Sequence, residues 1–69
     1  MTAARQISID NGNSFVTPAE AIEGMYWNVI VNAMDDDIRE AVHAELAPCT
    51  NEEFLTRYLE LAPEDLIVG

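Results

Sequence analysis

One cysteine, Cys49, and one histidine, His43, occur in 69 residues. That scarcity constrains the fold more than any other feature. Chains below roughly 70–80 residues often need disulfides, a metal or oligomerisation to supplement a small core. A lone cysteine forms no internal disulfide, and a Cys- or His-based zinc site needs several ligands at fixed spacing. The fold must rest on apolar packing and well-made helix ends. A composition 49% apolar makes this feasible and argues against disorder. The length fits one domain over residues 1–69.

Gln6-Ile-Ser-Ile-Asp10 alternates polar and apolar residues, the period of a half-buried strand. Asn11-Gly12-Asn13 is a turn, and Ser14-Phe15-Val16 returns as a second strand, so the segment reads as a hairpin. Thr17-Pro18-Ala19-Glu20 is a helix start: Thr17 caps, Pro18 suits the first helical position and Glu20 completes a capping box. Gly24 marks the end or a bend. Met25 to Met34 fits two periods. Trp27, Ile30, Val31 and Met34 share a helical stripe, while Trp27, Val29, Val31 and Ala33 share a strand face. Helix is the reading adopted, because Asp35-Asp36-Asp37 follows directly and leaves no hairpin partner.

Those three aspartates open an amphipathic helix with Ile38, Ala41, Val42 and Leu46 on its apolar stripe, closed by Pro48. Thr50-Asn51-Glu52-Glu53 is a second capping box, and Phe54, Leu55, Tyr58, Leu59 and Leu61 form the apolar face of the helix it starts. Leu66-Ile67-Val68 is expected to pair as a strand beside the hairpin, since an exposed apolar end invites aggregation. The expected class is α+β: a small antiparallel sheet, made of an N-terminal hairpin and a C-terminal strand, packed on three to four short helices.

Charge bears on function. Thirteen carboxylates face three arginines and no lysine, for a net charge of -10. Helix physics accounts for six of them. Glu20, Asp35, Asp36, Asp37, Glu52 and Glu53 lie in or next to first turns, where negative charge is worth about 0.3–1 kcal/mol per group. It does not account for Glu23, Glu40, Glu45, Glu60, Glu64 and Asp65. Asp35 with Arg39 and Glu53 with Arg57 have the i,i+4 order of surface ion pairs. A large acidic surplus remains, and it points to a basic partner. It also argues against direct contact with nucleic acid or with anionic membranes. No apolar run approaches the roughly 18 residues of a membrane span, and Met1-Thr-Ala-Ala-Arg5 lacks the basic-then-apolar order of a signal peptide. A cytoplasmic chain is expected.

No catalytic or metal constellation emerges. The consecutive acids Asp35–Asp37 lack the spaced ligands and central glycine of a calcium loop, and helix capping is the better reading. His43 has no nucleophile or second histidine beside it and reads as an exposed helix residue. Cys49 reads as a small hydrophobe at a helix corner, and Trp27 as core. The scattered glycines form no phosphate loop. No cofactor is expected and an enzyme is the least expected class.

Three stretches resemble a family of short acidic proteins of bacterial mobile elements: Asn11–Glu20, Asp35–Phe54 and Glu60–Val68. In size and charge the chain also resembles the small anti-CRISPR proteins, in particular a type I-C inhibitor that mimics DNA. The resemblance implies a target, the multi-subunit surveillance complex (Cascade) that binds foreign DNA in the bacterial host. The inhibitor would sit, as a monomer, where the complex reads the protospacer-adjacent motif. The resemblance carries over no individual binding residue. From charge placement, the candidates are Glu20, Glu23, Asp35, Asp36, Asp37, Glu40, Glu45, Glu52, Glu53, Glu64 and Asp65. Two readings compete. One is a protein–protein adaptor or antitoxin-like module that binds through Met25, Tyr26, Trp27 and Met34, with charge serving solubility. The other is adaptation of the surface to high salt.

Overall fold

The computed structural model describes residues 5–69; Met1–Ala4, part of the segment read for a signal pattern, lie outside them. The elements run β1 (Ile7–Ser8), α1 (Pro18–Glu23), α2 (Trp27–Ala33), α3 (Asp36–Leu46), α4 (Asn51–Leu61) and β2 (Leu66–Ile67). The class is α+β, with four helices and a two-stranded sheet among the described residues.

The sheet departs from expectation. The C-terminal strand does pair beside the N-terminal one, but β1 and β2 are parallel, with Ile7 opposite Leu66 and Ser8 opposite Ile67. All four helices lie between the two strands, the kind of long crossover that parallel pairing requires. The amides of Leu66 and Val68 donate to the carbonyls of Gln6 and Ser8, at 2.9 and 2.8 Å. The hairpin is reduced to one antiparallel bridge between Ile7 and Val16. Its turn is present, with Asn11 and Gly12 at φ 59° and 88°. The ladder is cut short because the Asp10 carboxylate takes both the amide and the hydroxyl of Ser14, at 2.9 and 2.6 Å. Thr17 then begins α1 directly. The strict alternation expected of residues 6–10 also fails, since Ile7 and Ser8 are both buried. Ser8 is accommodated because its hydroxyl donates to Asp10 and accepts from the Gly12 amide.

Both capping boxes form. Thr17 with Glu20 and Thr50 with Glu53 exchange side-chain and backbone hydrogen bonds at the starts of α1 and α4. Helix is confirmed for the ambiguous segment. Ile30 and Met34 are buried and Trp27 and Val31 half-buried, whereas Val29, which a strand would have placed with Trp27, is 47% exposed. The break before α2 has a different origin from the one expected. Gly24 keeps φ at -77°, and Met25 adopts the left-handed φ of 65°. Gly24 serves by lacking a Cβ, which would lie 2.8 Å from the Tyr26 ring.

The core joins Ile7, Ala21, Ile30, Met34, Val42, Leu55, Tyr58, Leu59, Ala62 and Leu66, contributed by every element. Ala41 and Leu61, assigned to apolar stripes, are exposed at the margins of theirs. Cys49 is half-buried, and Trp27 packs edge-to-face on Phe54 with centroids 5.9 Å apart.

Candidate functional site

All eleven carboxylates inferred from charge placement are exposed. The structure gives several of them local duties that the sequence reading had not resolved. Asp35 caps α3 by accepting from the Ile38 amide and does not pair with Arg39. Arg39 reaches Asp36 instead, at 2.9 Å. Glu53 is committed to Thr50 and does not meet Arg57. Arg57 spans to Glu45 on α3 at 3.1 Å and to Glu60 at 3.6 Å. The Arg5 guanidinium donates to the Ala62 carbonyl. The Asp65 carboxylate accepts the Gln6 amide and so ties the approach of β2 to β1.

Hydrogen bonding shifts two carboxyls. Donation from the Ser14 side chain and amide, with help from Ser8, holds Asp10 below its ordinary value of 3.8. Donation from the Thr50 amide and hydroxyl holds Glu53 below 4.5. Among the described residues, only Asp36, Glu45 and Glu60 are ion-paired. Glu23, Asp37, Glu40, Glu52 and Glu64 have neither an ion pair nor a side-chain hydrogen bond there, so they are the carboxylates most available to a partner.

Two concave surfaces organise these groups. A groove of about 670 Å³ is lined by Asp35 and Ile38 at the α2–α3 corner, by Tyr58 of α4, and by Glu64, Asp65 and Ile67 at β2. It brings together Asp35, Glu64 and Asp65, which lie far apart in sequence. Asp36, Asp37 and, one turn on, Glu40 follow Asp35 along α3. The Asp35 amide donates to the buried Tyr58 hydroxyl at 2.8 Å, which fixes the start of α3 on α4. Glu20, Glu23, Asp36, Asp37, Glu40, Glu45, Glu52 and Glu53 do not line this groove.

The second groove, about 350 Å³, is formed by Trp27, Val31, Arg39, Glu40, His43 and Phe54. Trp27 and Phe54 form its floor; Trp27 was read from sequence as core and, in the adaptor reading, as a binding residue, and Phe54 as part of an apolar helix face, but the groove they form was not foreseen. Of the four residues named for an adaptor surface, Met25 and Tyr26 are 88% and 43% exposed and Trp27 lines this groove. Met34 is 6% exposed and belongs to the core, which removes it from that surface. No group of acids, histidine and cysteine among the described residues has the arrangement of a metal site, and no described helix is long and apolar enough to cross a membrane.

Taken with a small acidic α+β fold, a match to a family model settles the class: the chain is an anti-CRISPR protein. The matching model is described as anti-CRISPR protein AcrIC5 and covers residues 23–61, more than half of the chain. The chain belongs to that family, whose members act on CRISPR machinery of type I-C. No curated protein and no solved structure matches.

Proposed function

We propose that the protein inhibits a type I-C system as an acidic mimic of double-stranded DNA. As a monomer it occupies the basic surface of a Cascade subunit where the protospacer-adjacent motif is read, inside the bacterial cell. It acts by occupancy, without catalysis or cofactor.

The observation that carries this reading is the patch around the start of α3. Asp35 joins Glu64 and Asp65 across a groove, Asp37 follows in the first turn of α3, and among the described residues no arginine bridges any of these four carboxylates. The scale also fits. The molecule measures 32 × 30 × 19 Å. Duplex DNA 32 Å long carries about 19 charges, at one per roughly 1.7 Å of axis. A net charge of -10 is about half that density, enough to steer association with a cationic groove.

The test is inhibition of duplex binding by the purified type I-C complex, using the double reversal Asp37→Lys with Glu64→Lys. Neither side chain has a structural partner among the described residues, so the fold is expected to survive. Inhibition is expected to fall at least tenfold, and full inhibition by the folded variant would refute the mimic.

The adaptor reading gains support from exposed Met25 and Tyr26 beside the Trp27 groove. It predicts that Tyr26→Ala abolishes binding and that salt has little effect.

A further inference from the structure

We propose that the groove between α2, α3 and α4 is an anchor pocket. It receives one large apolar side chain from the partner's basic surface, with an adjacent lysine or arginine pairing to Glu40. The proposal rests on the reading that the partner surface is basic, and it names what that surface presents beyond charge.

The groove is built for this pairing of chemistries. Its floor is the edge-to-face pair of Trp27 and Phe54 with Val31 beside them. Aromatic floors of this kind supply most of the energy at protein interfaces when a partner side chain excludes water from them. Its volume, about 350 Å³, lies near the lower end of the roughly 300–1,000 Å³ seen for small-molecule sites. One large side chain fits it better than an extended ligand.

Charge selects the occupant. Arg39, which lines the same groove, is held by Asp36, whereas Glu40 forms no ion pair among the described residues. An apolar side chain flanked by a cation therefore satisfies both floor and rim, and one flanked by an acid would be repelled. Met25 and Tyr26, just before α2 and next in sequence to Trp27, are also exposed.

All six groove residues fall within residues 23–61, the span the family model matches. An interface made only of charges would also be fast and salt-sensitive but weakly held. A desolvated apolar centre slows dissociation.

The test is equilibrium binding to the purified type I-C surveillance complex at about 100 and about 500 mM salt, which brackets strong and weak screening. His43→Trp fills the groove from an exposed position of α3 and is expected to weaken binding tenfold or more at both salt concentrations. The double reversal Asp37→Lys with Glu64→Lys is expected to weaken it chiefly at low salt. Unchanged affinity of folded His43→Trp overturns the anchor pocket and leaves mimicry standing. Unchanged affinity of the double reversal overturns the mimic, and with it the basic character of the occupant. Should His43→Trp fail to fold, Val31→Ala, which widens the groove, is expected to cost severalfold in affinity, and no loss there overturns the anchor.

Discussion

Tyr58→Phe isolates the contact that seats the acidic start of α3. The Tyr58 ring is buried against the core, and its hydroxyl accepts the Asp35 amide at 2.8 Å. Phenylalanine keeps the ring packing and deletes only the acceptor. A buried donor left without a partner costs about 1–3 kcal/mol. The contact borders an open groove, so water takes over part of the acceptor's role and the lower end applies, about 1 kcal/mol. In a domain of this size that corresponds to a drop in Tm of about 4–8 °C. Thermal denaturation followed by circular dichroism reads the shift. Because the bond orients Asp35 and the turn after it, inhibition should weaken as well. An unchanged Tm would refute the reasoning that this bond holds α3 on α4. A loss above about 3 kcal/mol would show that the hydroxyl supports more than one amide.

Met25→Gly should stabilise the protein. Met25 holds a left-handed φ of 65° and its side chain is 88% exposed, so glycine relieves a cost of about 1 kcal/mol while losing little packing. A rise in the urea midpoint with an unchanged slope checks it. Asp10 and Glu53 titrate below their ordinary values in the folded protein. Each lends stability that is complete above the unfolded value and is lost as pH falls through the lower folded value. The stability gap between wild type and Asp10→Asn should therefore be constant above about pH 5 and shrink below about pH 4, as read by urea titrations across that range.

What was legible in the sequence was local. Thr17 with Glu20 and Thr50 with Glu53 lie three residues apart, and the hydrogen bonds that make them capping boxes involve only those residues and their own backbone. The helical reading of α2 rested on Asp35-Asp36-Asp37 leaving no hairpin partner, and the structure bears it out with Ile30 buried and Val29 exposed. The ion pairs failed because spacing ignores prior commitments. Glu53 was already bonded to Thr50, so Arg57 turned to Glu45 on the neighbouring helix. The direction of the sheet depends on how four helices return the chain to β1, and no local pattern encodes that. The candidate carboxylates are all exposed. Their sorting into capped, paired and free depended on tertiary neighbours such as Gln6 for Asp65. The Trp27 groove was invisible for the same reason, since it exists only where α2 meets α3 and α4.

The central claim is that carboxylates, and not shape alone, carry the inhibitor to a surface built for DNA. The salt dependence of affinity for the purified type I-C surveillance complex tests it most directly. Mimicry predicts that affinity falls by about tenfold or more between about 50 and 200 mM salt, in step with the fall for a target duplex. It also predicts that duplex and protein displace each other. Affinity that is flat across that range, with the duplex still bound beside the protein, would contradict it.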